Sequence, residues 1–163
     1  MTNKKILILK GPINSIGRNT LLDDFQDNIV EFNCIKYIEY YVNKYRNIFS
    51  KIIVCTWTNQ KSILKELDPI TLSKIDSIKY LDDDANDKRK RKLAFVSNNK
   101  TPELLNNKDR AIRLLGFSLQ NLSVDNDDYI YLVRTDMQFD LEETFNSSLL
   151  KRLEENKIVM PCF

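Results

Sequence analysis

A chain of 163 residues, 42% hydrophobic and 29% charged, is long enough for one domain with a real core and has the make-up of a soluble globular protein. Its net charge of +2 calls for no polyelectrolyte partner, so no nucleic-acid partner is expected. Histidine is absent, which excludes His-based triads, His metal sites and imidazole acid–base chemistry; catalysis would have to rest on carboxylates, Lys, Arg, Tyr, Cys or a bound cation.

No apolar run approaches the length of a membrane span, and Met1 to Gly11 is too short and too strand-like for a signal peptide. Cys34, Cys55 and Cys162 are odd in number and lack metal-ligand spacing, so they read as reduced thiols of a cytoplasmic protein.

In chain order, Lys4 to Lys10 reads as a first strand. Gly11 and Pro12 stop it, either as a plain turn or to let the backbone approach a ligand closely. A polar stretch follows through Ser15, Gly17 and Asn19. Asn33 can cap a helix, after which Ile35, Ile38, Val42, Tyr45 and Phe49 recur at spacings of three and four, an amphipathic face. Ile52 to Cys55 is a second strand, ended by Thr56, Trp57 and Thr58; Trp57 either borders a ligand or packs under a loop. Ile63 to Leu67 reads as a short helix halted by Asp68 and Pro69, and Ser77 to Leu81 as a third strand.

From Asp82 to Pro102 the chain is one long charged loop, with Asp82, Asp83, Asp84 and Asp87 followed by the run Lys88 to Lys92. Mixed charge of this kind reads as a solvated segment, and the length suits a lid or binding loop. Docking of the basic run on an anionic membrane surface, a peripheral association, or on nucleic acid is the lesser alternative, since the adjacent aspartates cancel much of its field. Asn106 or Asn107 can cap the next helix, with Asp109 in its first turn and Ala111, Leu115, Ser118, Leu119 and Leu122 as its buried stripe. Asn107 and Arg110 share one face at its amino end.

Tyr129 to Val133 is an unbroken apolar run, the pattern of an inner parallel strand, and it ends abruptly in Arg134, Thr135 and Asp136. Arg134 and Asp136 are two apart and point to the same side. Leu141 to Asn156 reads as a helix and Lys157 to Pro161 as a final strand.

The alternation predicts a single α/β domain over residues 1–163: a mostly parallel, Rossmann-like open sheet with helices on both faces. Right-handed crossovers allow the order three-two-one-four, with a switch point between the first and fourth of these strands. Gly11 and the Arg134–Asp136 segment then face one crevice, where open α/β sheets bind ligands. Strand-end charge is also simply how strands terminate. Phosphate with a hard cation, Mn2+ or Mg2+, suits the residues: Asp136 supplies one carboxylate, Asp140 a second if the loop curls back, and Arg134 or Arg110 steadies the phosphates. GxGxxG and GxxxxGK[ST] are both absent, against a dinucleotide or P-loop site.

Four segments, Leu9 to Ile13, Lys51 to Trp57, Asn106 to Gln120 and Tyr131 to Met137, together resemble the WavE-type glycosyltransferases of lipopolysaccharide and capsule assembly. The resemblance lies in their order: Gly-Pro after strand one, Thr-Trp after strand two, an Asn…Arg helix start, then Arg-Thr-Asp. It implies a GT-A-like fold that transfers a sugar from a nucleotide-sugar donor to a glycan acceptor. On that mapping Asp136 is the metal and diphosphate residue, Asn107 and Arg110 face the donor, and Gly11 and Pro12 shape the nucleotide pocket. The family usually carries Gln where this chain has Ala111, and it continues past the strand that here ends at Phe163. The chain accordingly reads as a donor-binding half, truncated at its carboxyl end, and a non-catalytic binding or interaction remnant is the alternative.

Overall fold

The computed structural model describes residues 4–18, 29–82, 102–120, 122–125 and 128–142. The elements in chain order are β1 (Lys5–Lys10), β2 (Asn14–Arg18), β3 (Ile29–Asn33), α1 (Ile35–Tyr45), β4 (Lys51–Trp57), α2 (Pro69–Ser73), β5 (Ser77–Leu81), α3 (Pro102–Leu119) and β6 (Tyr129–Arg134). β1, β4, β5 and β6 form one parallel sheet in the order β5-β4-β1-β6, the predicted three-two-one-four. The chain steps outward from β1 to β4 to β5, then crosses back to the other side of β1. The direction of winding therefore reverses between β1 and β6.

Strand alternation divides the sheet's side chains between two cores. Leu7, Leu9, Ile52, Val54 and Val133 face α1 and meet Ile35, Ile38, Tyr41, Val42 and Tyr45. Ile6, Ile8, Ile53 and Cys55 face the other way and meet Leu114 of α3. β1 and β4 are apolar on both faces, and α1 covers one face and α3 the other. Each fully buried aliphatic side chain contributes about 1.5–3 kcal/mol, and Leu7, Ile8, Leu9, Ile52, Ile53 and Val54 make the β1–β4 centre a main source of stabilisation. Phe49 anchors β6 from the α1 side, its ring edge-on to Tyr131 at 5.1 Å between centroids.

Several local expectations are corrected. The polar stretch after Pro12 is a β2–β3 hairpin, paired antiparallel from Asn14↔Asn33 to Arg18↔Ile29. Asn33 acts at the start of α1, but from one residue further out: its Oδ1 accepts the Ile35 N–H at 2.9 Å while Cys34 occupies the cap position. Asp68 and Pro69 start a helix as well as stopping one. Asp68 accepts from the Thr71 N–H at 2.9 Å and Pro69 opens α2, where its missing N–H costs nothing.

α3 begins at Pro102, so Asn106 and Asn107 lie inside it and not at its start. Its buried contacts are Leu114 and Ser118, with Phe117 and Leu122 beside them, whereas Ala111 and Leu119 are exposed. The expected stripe was rotated by about one residue. β6, expected to be an inner strand, is an edge of the sheet formed by the described residues. Its Tyr131 and Val133 pack toward α1, but Ile130 and Leu132 stay 38% and 40% exposed because α3 lies over β1, β4 and β5 instead. The expected loop at 83–101, and the helix and strand expected beyond Glu142, lie outside the described residues. Among the described residues no helix is long and apolar enough to cross a membrane.

Candidate functional site at the switch point

The backbone first brings the two halves of the site together. Gly11 leaves β1 with φ +143°, a conformation that L side chains rarely adopt. Its N–H still bonds to the Cys55 carbonyl at 3.1 Å, and the Thr135 N–H bonds to the Lys10 carbonyl at 3.1 Å. The Thr135 hydroxyl, fully buried, donates to the Pro12 carbonyl at 2.6 Å. A Cβ on Gly11 would stand 2.4 Å from that hydroxyl oxygen. Gly11 thus does more than turn the chain: it admits the close approach of the segment after β6. Gln60 braces the far side by accepting the Ile13 N–H.

On this frame Arg134 and Asp136 do point to one side, and they pair. The Arg134 Nε–H donates to one Asp136 oxygen at 2.8 Å and an Nη–H to the other at 2.6 Å. This is a two-pronged, charge-assisted contact. Of the five guanidinium N–H groups, two bond to Asp136, leaving three for other acceptors among the described residues. Lys10 stands beside Arg134 in register, on the α3 side of the sheet, and is half-buried. Burial first, and the Arg134 charge second, push its ammonium pKa down, with Asp136 opposing.

Cys34 and Cys55 are buried free thiols. Burial, reinforced by Asp136, raises Cys34 to about 11, and burial raises Cys55 to about 11. Both are protonated at neutral pH.

Asp140 does not curl back toward Asp136. The Tyr41 hydroxyl donates to the Met137 carbonyl at 3.1 Å and accepts the Phe139 N–H at 2.6 Å. Four residues on along α1, the Tyr45 hydroxyl donates to Asp140 at 2.8 Å and accepts the Leu141 N–H at 2.9 Å. Residues 137–141 therefore run down the helix, stitched by two tyrosines one turn apart. Asp136 acts on Cys34 at the amino end of α1, and Asp140 is held at the carboxyl end, about 15 Å of helix away. Lys44 also takes Asp140, at 3.0 Å, and that bond raises the lysine's pKa.

This placement makes Asp140 a staple with a measurable pH signature. The Glu142 N–H, then Lys44 and Tyr45, hold its carboxyl down to about 2, against about 3.9 for a free aspartate. A folded-state value below the unfolded one gives stability that is complete above about pH 4 and is lost as pH falls toward 2. The wild-type Tm should exceed that of Asp140→Asn at neutral pH, and the two should converge across that acid window. A gap independent of pH would contradict the staple.

Trp57 is 4% exposed and packs with Ile6, Ile8, Ile53 and Leu114 under α3, so it serves the core one strand away from the crevice. Asn107 and Arg110 fall in the amino-terminal half of α3, and their side chains lie outside the described residues. The crevice therefore joins Gly11, Pro12, Arg134 and Asp136 but not Asp140 or Trp57. It also adds Lys10, the last residue of β1, whose signal was its position directly before Gly-Pro. Among the described residues no three Cys, Asp or Glu side chains are grouped to hold a metal ion. Among the described residues the crevice offers one carboxylate, Asp136, whose oxygens both accept from Arg134, with Lys10 as a second cation alongside.

Compared with models of protein families, with curated proteins and with solved structures, the chain finds no match.

Proposed function

We propose that the crevice between β1 and β6 binds the diphosphate of a nucleotide-sugar, and that the protein is a glycosyltransferase, or the donor-binding half of one, acting toward a glycan acceptor. One observation carries the reading. Gly-Pro after β1 and Arg-Thr-Asp after β6, picked separately in the sequence, meet at the point where the winding of a parallel sheet reverses. That is where open α/β sheets bind their ligands. The chemistry supports an anionic ligand: Arg134 is held by Asp136 with donors to spare, and Lys10 adds a second charge. In this arrangement Asp136 orients the guanidinium. The resemblance to WavE-type transferases supplies the sugar-transfer part of the reading.

A second reading, a nucleotide-sugar-binding module without turnover, is favoured by the engagement of Asp136. A carboxylate whose two oxygens both accept from arginine is oriented toward the guanidinium and not toward an acceptor hydroxyl. The two readings share the ligand and differ in turnover. Thermal denaturation with a panel of nucleotide-sugars tests the shared part. A donor at about 100 times its Kd should stabilise the fold by roughly 2.7 kcal/mol. For a chain of this size that is a rise in Tm of roughly 5–10 °C. No shift with any member of the panel would refute both. Release of free nucleotide accelerated by a glycan acceptor then selects the transferase; binding without release selects the module.

A further inference from the structure

Lys10 is a cation with no directly bonded partner among the described residues. Its backbone continues the ladder to β6, but among the described residues its ammonium has neither a hydrogen-bond nor an ion-pair partner. It is half-buried on the α3 side of the sheet, flanked in register by Cys55 on β4 and Arg134 on β6. A charge that loses water without gaining a partner costs free energy, and a neighbouring guanidinium adds repulsion. Asp136 turns both oxygens to Arg134, so among the described residues Lys10 keeps only a longer-range attraction to it. The cluster of Lys10, Arg134 and Asp136 therefore keeps one positive charge at the carboxyl edge of the sheet.

We propose that Lys10 and the unused N–H groups of Arg134 together bind the ligand's diphosphate directly, taking the part that a divalent cation would otherwise play. This rests on the nucleotide-sugar reading and extends it: binding is metal-independent, and Lys10 is a binding residue. The ligand supplies the missing counter-charge, and the ammonium regains the hydrogen bonds that burial removed. Lysine suits the role as a compact charge with three rotatable donors, beside an arginine fixed in orientation by its carboxylate. No covalent step is involved.

The test is calorimetric titration of the whole chain with inorganic pyrophosphate and with nucleoside diphosphates, in chelator and in manganese. Wild type, Lys10→Met and Lys10→Arg are compared, with the Tm of each free protein. Wild type should bind in chelator, with manganese changing affinity little. Lys10→Met should weaken binding about tenfold or more, the loss of a hydrogen bond to a charged group, and Lys10→Arg should retain most of it. The free Lys10→Met protein should be as stable as wild type or slightly more so, because an uncompensated charge is gone; a residue needed only for folding would lower the Tm. Binding that vanishes in chelator and returns with manganese would overturn the proposal, as would equal affinities for wild type and Lys10→Met. Lys10-dependent binding of pyrophosphate with no binding of any nucleotide would uphold the anion site and refute the nucleotide-sugar reading alone.

Discussion

Replacing Gly11 with alanine should destabilise the fold by about 3 kcal/mol, lowering Tm by roughly 6–12 °C. Two costs add. The backbone at φ +143° disfavours any side chain, at about 1–3 kcal/mol. The new Cβ would also lie 2.4 Å from the Thr135 hydroxyl oxygen and 3.3 Å from its backbone nitrogen. Turning the hydroxyl away breaks its bond to the Pro12 carbonyl and strands a fully buried polar group, at about 1–3 kcal/mol. Keeping it in place forces β1 and β6 apart where their ladder ends. Adding Thr135→Ala to the Gly11→Ala protein should recover part of the loss, because the clash goes and only the backbone strain stays. A Tm change under about 2 °C for Gly11→Ala would mean that the two segments are not in contact.

Arg134→Met should weaken nucleotide-sugar binding by about 100-fold or more, near 3 kcal/mol. The loss has two parts: the hydrogen bonds from the guanidinium to the diphosphate, about 1.5–3 kcal/mol, and the release of Asp136 as a bare carboxylate facing an anion. The second part gives the prediction its sign for the double variant. Arg134→Met with Asp136→Asn removes the repulsion, so it should bind more tightly than Arg134→Met alone despite carrying one more substitution. Such coupling is expected of residues in direct contact and is read from a double-mutant cycle. If instead Asp136 contributed chiefly as a metal ligand, Asp136→Asn would add to the loss and the double variant would be the weakest of the three.

The central architecture was legible because it rests on periodicity. Leu7 and Leu9 alternating with Ile6 and Ile8, and the Ile35 to Tyr45 spacing, leave little freedom once both sheet faces must be covered. The strand order followed from handedness, and with it the meeting of Gly11 and Thr135. What was missed depended on contacts between distant residues. The β2–β3 hairpin has no apolar alternation in Asn14–Arg18 to announce it. α3 begins at Pro102, where a proline after a polar stretch read as loop, and its buried side was misread by one residue because Ala111 and Leu115 imitate a stripe. Asp140 looked like a second metal carboxylate four residues after the first. Tyr41, Lys44 and Tyr45, nearly a hundred residues earlier, fix it at the other end of α1. β6 is apolar throughout, yet one of its faces is uncovered by α3, which no local pattern reveals.

The claim that an anionic nucleotide ligand binds where β1 and β6 end is tested most directly by amide NMR on the wild-type protein, titrated in chelator with a panel of nucleotide-sugars. The amides of Gly11, Ile13, Thr135 and Asp136 sit on the crevice, and those of Tyr45 and Leu141 lie at the far end of α1 and serve as the internal control. The account predicts saturable shifts concentrated at residues 10–13 and 134–137 for at least one nucleotide-sugar, with Tyr45 and Leu141 unmoved. Saturable shifts centred elsewhere, or none with any member of the panel, would contradict it.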